Sequence, residues 1–438
     1  MSRLGNWKRI AAITIDMEHS KDALDAIVAD IRDASDMAES VKHPLSLRLI
    51  YGIIAESERQ GASTLHLESN RFGLVVRMRI DGVLTDKLRM PTQLAIDVIQ
   101  SLKKMAQLDL SEKLFPQDGL VNLTLHGKPK AIRISTLPSA NAGETGERIV
   151  LHLLDAQKAS ISLDLLGMSK QVHQILTEAI SQPTGLILIA GPVGSGKTTT
   201  LYAAIKQLND GDRNILTVEN PIQYAIEGVG QTQVNSERGL NFADGLKAIL
   251  RQDPDIVVVG EIGDRETAEV AVEASLNGHL VLSGINTNDA VSAIAQMRDK
   301  HVDPFLMASS LRAIIGQRMV RKLCEQCRTP IQADGSLASL LGFDRGTVVF
   351  QEKGCSHCNN TGFAGHIGVF EAIRIDETIR KFIYDGGDEA RISAHAFYKQ
   401  PGLASAARAM VRQGLITAEE GIRISRRESI SVNDWVWT

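Results

Sequence analysis

The chain has 438 residues, of which 43% are hydrophobic, 23% charged and 4% aromatic, an ordinary soluble composition long enough for about three domains. A net charge of −4 gives no electrostatic case for nucleic-acid binding. No apolar run reaches the roughly 18 residues of a membrane span, and the N-terminus lacks the apolar core of a signal peptide. A cytosolic protein is therefore expected, one that meets a membrane only through a protein partner.

Residues 1–44 carry mixed charge and scattered apolar positions, which read as a short helical segment with no evident chemistry. Leu45 to Arg59 has the pattern of an amphipathic helix, ended by Gly61. Thr64–Glu68 and Gly73–Gly82 alternate as strands, with Asp81-Gly82 as a hairpin signal. A helix over about Leu94–Gln107 and strands near Leu120–Leu125 and Ala131–Ser135 complete an α+β domain, expected over 45–160.

Gln182-Pro183-Thr184-Gly185 punctuates the entry to a second domain, expected over 161–320. The apolar run Leu186–Ala190 reads as a buried parallel strand. It breaks into Gly191-Pro192-Val193-Gly194-Ser195-Gly196-Lys197-Thr198-Thr199, and a helix follows to Leu208. This fits G-x-x-x-x-G-K-[ST], whose amide N–H groups and helix N-terminus form a positive cradle for phosphates. Lys197 is expected on the β/γ-phosphates and Thr198 on Mg²⁺. Three more strand patterns end in polar groups: Asn214–Val218 in Glu219-Asn220-Pro221, Asp255–Val259 in Gly260-Glu261, and His279–Ser283 in Gly284-Ile285-Asn286. Between them Asp264–Leu276 reads as a helix, with Arg265 and Glu269 at i,i+4. Strands alternating with helices imply a parallel sheet that gathers ligands at its strand carboxyl ends.

Cys324-x-x-Cys327 and Cys355-x-x-Cys358, with 27 residues between the pairs, suit a closed structural Zn²⁺ site with four thiolates and no open position. The module is expected over 321–370. The remainder, 371–438, reads as amphipathic helices with short turns, and Arg423–Arg427 as a solvated face.

Taken together these motifs resemble the hexameric ATPases that power type II secretion and type IV pilus assembly, a family related to other secretion NTPases. The resemblance runs from about Leu45 to Ser425. It is carried by Ser63–Glu68, Val76–Gly82, Phe115–Gly119, the phosphate loop, Arg251–Asp255, Val259–Glu261, Gly278–Ser283 and the four cysteines. It implies a PAS-like N-terminal domain, a RecA-like P-loop domain, ATP, Mg²⁺ and Zn²⁺ as cofactors, and a homo-hexamer. It also implies a place at the cytoplasmic face of the inner membrane, on a platform protein. By position, Glu261 would polarise the attacking water and Glu219 support Mg²⁺ or the water network. His279 would sense nucleotide, and Arg77 and Arg79 would supply positive charge across the lobes. The cysteine module points to the assembly or secretion branch, and the short N-terminal part leans towards a pilus system.

The chain departs from that pattern in Glu219-Asn220-Pro221-Ile222-Gln223, at Gly263 and at Ile285-Asn286. Each change removes a charge or a titratable group, which points to a working but slow ATPase. Two other classes compete with this reading. A nucleotide-binding structural subunit has little need of a carboxylate aimed at water, and a nucleic-acid translocase would call for a basic or aromatic stripe.

Overall fold

The computed structural model describes residues 44–428 except 81, 126–127, 141–145, 155–160, 236–237 and 359. The expected N-terminal helical segment lies outside them apart from Pro44. The chain divides into two compact units, 1–156 and 157–438.

The first unit is α+β, as the alternating pattern implies. Helix α1 (Leu45–Arg59) precedes β1 (Ala62–Asn70), β2 (Gly73–Ile80) and β3 (Val83–Met90). Helix α2 (Thr92–Met105) then leads to β4 (Gln117–Leu125), β5 (Lys128–Pro138) and β6 (Glu147–Leu154). The strands form one antiparallel sheet in the order β3-β2-β1-β6-β5-β4. The hairpin falls where its turn signal lies, with Ile80 opposite Val83 and Gly82 at φ 81°; β3 and β6 are strands that the pattern did not announce. One sheet face packs on both helices, where Leu49, Ile53, Val98 and Leu102 meet Leu65, Val76, Met78 and Leu151. At the end of α2 the fully buried Lys103 donates from Nζ to Glu147 Oε1 at 3.0 Å and to the Glu112 carbonyl at 2.6 Å.

The second unit is built on a seven-stranded sheet in the order β15-β12-β7-β11-β10-β8-β9. Its members are β7 (Gly185–Ala190), β8 (Ile215–Glu219), β9 (Val229–Gln233), β10 (Ile256–Val259), β11 (Leu280–Ile285), β12 (Leu311–Leu323) and β15 (Phe363–Arg374). All neighbours are parallel except the β12–β15 pair. Every residue of β7, β10 and β11 is buried, as continuous apolar runs require of strands covered on both faces. Helices α3 (Lys170–Ile180) and α4 (Lys197–Leu208) cover one face. Helices α5 (Phe242–Ile249), α6 (Arg265–Leu276), α7 (Ala290–Asp299) and α8 (Pro304–Ser310) cover the other. Asp264 caps α6, accepting from Thr267 N at 2.8 Å, and the Arg265–Glu269 pair forms at 2.7 Å.

The expected divisions at 320/321 and 370/371 fall inside β12 and β15. The cysteine module is an excursion between two paired strands of the main sheet. The chain leaves at Leu323, forms β13 (Thr329–Gln332), α9 (Gly335–Leu341) and β14 (Val348–Gln351), and returns at Phe363. The 12-residue β15 runs on to Arg374, so the stretch expected to be helical from 371 begins as strand. Its buried Glu371 breaks the apolar run, so the stretch did not read as a strand. Helices α10 (Glu377–Tyr384), α11 (Glu389–Ala396), α12 (Leu403–Arg412) and α13 (Ala418–Glu428) follow.

Candidate functional site

The phosphate loop follows β7 and opens α4, as its spacing requires. Gly194 and Gly196 sit at φ 79° and 89°, backbone positions that side-chain-bearing residues rarely adopt. A Cβ on Gly196 would also lie 2.7 Å from the Gln317 amide. Gln317, on β12, was not singled out from the sequence, yet it clamps the loop. Its Nε2 donates to the Ser195 carbonyl at 2.8 Å and its Oε1 accepts from Thr200 Oγ1 at 2.7 Å. The available signal was Gly316-Gln317-Arg318 interrupting an apolar run. Ser195 Oγ is buried and has no hydrogen-bond partner among the described residues, and Thr198 is exposed at the first turn of α4. A loop with spare donors at a helix N-terminus fits the phosphates of a nucleotide.

Three side chains converge beside the loop, Lys197 from the start of α4 and Glu261 and Asn286 from just past the ends of β10 and β11. Lys197 Nζ donates to the carbonyls of Gly191 and Pro192 at 2.8 and 3.0 Å and to Asn286 Oδ1 at 2.6 Å. The Asn286 amide donates in turn to Glu261 Oε1. Asn286 thus bridges the loop ammonium and the carboxylate by one acceptor and one donor. The approach depends on Gly284, where a Cβ would lie 2.5 Å from the Gly260 carbonyl and 3.6 Å from Lys197 Cε. Burial lowers the Lys197 pKa, while the Glu261 charge partly restores it. With all three ammonium hydrogens engaged by protein acceptors, an incoming phosphate must replace partners rather than meet a bare cation.

Glu219 ends β8, the strand next to β10, with its Cα beside Gly260. Glu219 is 4% exposed and already satisfied: Tyr202 Oη donates to Oε2, and Thr217 Oγ1 and Gln231 Nε2 donate to Oε1 at 2.5 and 3.0 Å. Burial first, and the Glu219 charge second, raise the Tyr202 pKa, so the phenol remains the donor. This cluster ties α4 to β8 and β9 at the strand end beside Gly260. His279 precedes β11 at its amino end, with Nδ1 3.0 Å from the Ala274 carbonyl. Six residues of strand, about 20 Å, separate it from the end that carries Asn286. Arg77 and Arg79 belong to the first unit. They share one face of β2 while Met78 is buried on the other, as the i,i+2 spacing implies. Arg77 pairs with Asp86 at 3.0 Å and Glu68 at 3.4 Å, and Arg79 donates to the Gly82 carbonyl at 2.8 Å.

The four cysteines come together as the spacing predicts, with all sulfurs within 4.8 Å of one another. The Cys324–Cys355 and Cys327–Cys358 Sγ distances are 3.9 and 3.7 Å. A tetrahedron with Zn–S bonds of about 2.3 Å requires about 3.8 Å between sulfurs, so the donors fit zinc. Burial opposes ionisation of Cys358, but amide N–H groups of Cys355 and Gly362, each 3.2 Å from its sulfur, outweigh it and hold the thiol down to about 6.

A doubly covered, mainly parallel sheet with a phosphate loop after one of its inner strands defines the P-loop ATPase-like class. Residues 39–423 match the family described as Type II/IV secretion system protein, and the chain belongs to that family. It is 45% identical over 407 residues to Type II secretion system protein E of Pseudomonas aeruginosa, covering 92% of this chain and 80% of that protein. It is 39% identical over 413 residues to Type II secretion system ATPase E of Vibrio cholerae, covering 94% and 81%. Among solved structures, the pilus retraction motor PilT with bound ADP is 25% identical with a TM-score of 0.59, covering 87% of this chain and 99% of that one. The Legionella pneumophila ATPase DotB superposes with a TM-score of 0.65 at 20% identity, covering 86% and 95%. The fold is therefore that of a secretion-system ATPase, and the relatives at about 40–45% identity carry type II secretion names. No helix among the described residues is long and apolar enough to cross a membrane.

Proposed function

We propose that this protein is an ATP-hydrolysing motor for type II secretion or pilus assembly. It acts as a homo-hexamer of RecA-like domains with PAS-like N-terminal domains, at the cytoplasmic face of the inner membrane, and it moves a platform protein. The observation that supports this best is the Lys197–Asn286–Glu261 chain beside the phosphate loop. A pure binding module needs Lys197 but has no use for a carboxylate held at the adjacent strand end.

In this reading the loop amides and Lys197 hold the β/γ-phosphates, and Thr198 places its hydroxyl on Mg²⁺, which neutralises phosphate charge when bound. A phosphate oxygen takes Lys197 from the loop carbonyls and Asn286. Glu261, still oriented by the Asn286 amide, accepts the proton of the attacking water. Glu219, tied to Tyr202, fixes the helix that carries Lys197 and Thr198, and Arg77 and Arg79 complete the charge from the other domain. His279, at the far end of β11, takes no part at the nucleotide of its own subunit. The cysteine module with its zinc is structural.

The test is steady-state ATP hydrolysis on protein sized by light scattering, with and without nucleic acid. Lys197→Ala should weaken nucleotide binding and turnover together. Glu261→Gln should retain binding and lose on the order of 10²-fold in turnover. Normal hydrolysis by Glu261→Gln would overturn the assignment. Binding with no hydrolysis in the unaltered protein would favour a nucleotide-dependent structural subunit.

A further inference from the structure

Along β15 one face changes neighbours. Val369 belongs to the C-terminal core with Leu341, Leu403 and Val411, whereas Ile373 belongs to the core that holds Ala290, Val291 and Ile294 of α7. Alternate residues of a strand share a face, so Glu371 stands on the seam between these two cores, 1% exposed. Phe370 and Ala372 face the opposite core. A carboxylate buried there needs donors, and two helix N-termini supply them. Its Oε1 accepts from the N–H of Ala290, the first residue of α7, at 2.7 Å. Its Oε2 accepts from the N–H of Leu403, the first residue of α12, at 2.9 Å. First-turn amides have no partner within their own helix, and the helix dipole favours an anion beside them. The residue opposite on β12 is Gly316, where a Cβ would lie 2.5 Å from Glu371 Oε1.

The segment from Asn286 to Ala290 joins this seam to the site, since Asn286 bridges Lys197 and Glu261. It is held at every step. Thr287 Oγ1 donates to the Asp289 carbonyl at 3.0 Å, and Asp289 Oδ1 caps α7 by accepting from Ser292 N at 2.7 Å. Asn288 accepts from Arg318 through its carbonyl at 2.6 Å and its Oδ1 at 3.1 Å. Strand β11 fixes one end of the segment, because Asn286 directly follows its last residue, and Glu371 fixes the other.

We infer that Glu371 is a positioning residue for ATP hydrolysis: by pinning the start of α7 it sets where Asn286 holds the Glu261 carboxylate against the Lys197 ammonium. The inference rests on the hydrolytic reading above and adds to it a group that acts on the site through the fold. The same carboxylate pins α12, so the nucleotide edge of the sheet and the C-terminal core share one anchor. A glutamine at this position has a single acceptor oxygen. It can serve one helix and must turn a donor towards the other. A misplacement of about 1 Å at a reacting group can cost about 10²-fold in rate, so a small shift of Asn286 is enough.

The experiment is a double-mutant cycle on the full chain with Mg²⁺, read as ATP turnover and ATP binding in native protein, Glu371→Gln, Asn286→Ala and the double variant. Glu371→Gln should keep ATP affinity within about threefold and lower turnover by about tenfold or more. In the Asn286→Ala background the same substitution should change turnover by less than about twofold, because the group it positions is gone. Gly316→Ala keeps the charge but pushes the carboxylate off Ala290. It should reproduce the loss and its dependence on Asn286, and it carries the test if Glu371→Gln does not fold. A merely structural Glu371 would lower the melting temperature and cut turnover by the same factor in both backgrounds. That result, or unchanged turnover of folded Glu371→Gln or of Gly316→Ala in its place, overturns the inference, while hydrolysis by the native chain leaves the motor reading standing. A native chain that hydrolyses no ATP removes the reading and the inference together.

Discussion

The two sheets use polar residues in opposite ways. In the first unit, β1 alternates buried and accessible positions along its length. Its open face carries His66 and Glu68 beside Arg77, Arg79 and Arg148 of neighbouring strands, joined by contacts such as Arg148–Glu68 at 2.9 Å. In the second unit, β7 and β11 are buried throughout, and Glu261 and Asn286 stand only past the strand ends. A sheet covered on both faces admits charge within its strands only where a partner satisfies it, as at Glu371, so the groups free to meet a ligand collect where β10 and β11 stop. A sheet covered on one face can spread charge over the other, where an arginine is a surface group until something closes on it. Each unit also holds a buried polar stitch: Lys103–Glu147 in the first and the four thiols in the second.

The largest expected effect tests the second stitch. Binding of a structural zinc supplies roughly 10–16 kcal/mol in small zinc domains, so Cys355→Ser should strip the metal and lower the melting temperature or the solubility of the whole chain. Elemental analysis should find about one zinc per native chain, and metal-free protein with unchanged melting would remove zinc from the account. Next come the arginines of the open sheet face. Arg77→Ala and Arg79→Ala should each keep ATP affinity within about tenfold while turnover falls by about 10³-fold, the scale of an arginine finger. Mixing Arg77→Ala with Lys197→Ala subunits asks whether the arginine serves its own subunit or a neighbour, since recovered activity requires the defects to lie in different chains. Full activity of the double arginine variant would reduce this face to scaffold.

The first unit's stitch should be worth somewhat less. Lys103→Met leaves the Glu147 carboxylate buried without its cation and should cost about 3–5 kcal/mol, read by denaturant unfolding; a cost below 1 kcal/mol would show that water or another cation replaces it. The smallest effect is a pH dependence confined to the same sheet face. Burial, then Arg148 and Arg79, lower the His66 pKa, and burial, then Arg133, lower that of His152. Protonation therefore favours the unfolded chain, where histidine titrates near about 6.5. The stability these groups contribute is present above that value and is lost as pH falls from it towards the lowered folded values. Melting temperatures between pH 7.5 and 5.5 should fall less for His66→Gln/His152→Gln than for native protein, and equal falls would place the dependence elsewhere.

The sequence by itself determined the class of the protein. Gly191–Thr198, the strand-end positions of Glu261 and Asn286, and the two C-x-x-C pairs are short-range patterns, and local backbone and spacing requirements dictate them. The same holds for the α1 boundaries, the β2–β3 hairpin and the Arg77/Met78/Arg79 alternation, which follow from periods of 3.6 and 2. Tertiary structure decided what depends on partners distant in the chain. It set Gln317 against the loop across 122 residues and Lys103 against Glu147 across 44. It turned Glu219 into an anchor for Tyr202, left His279 at the far end of its strand, and returned the chain from the cysteine module into the main sheet as β15. A single residue's pattern records whether it is buried, but not which distant donor or acceptor makes that burial affordable, because a buried polar group is stable only with a partner that the fold alone brings within reach.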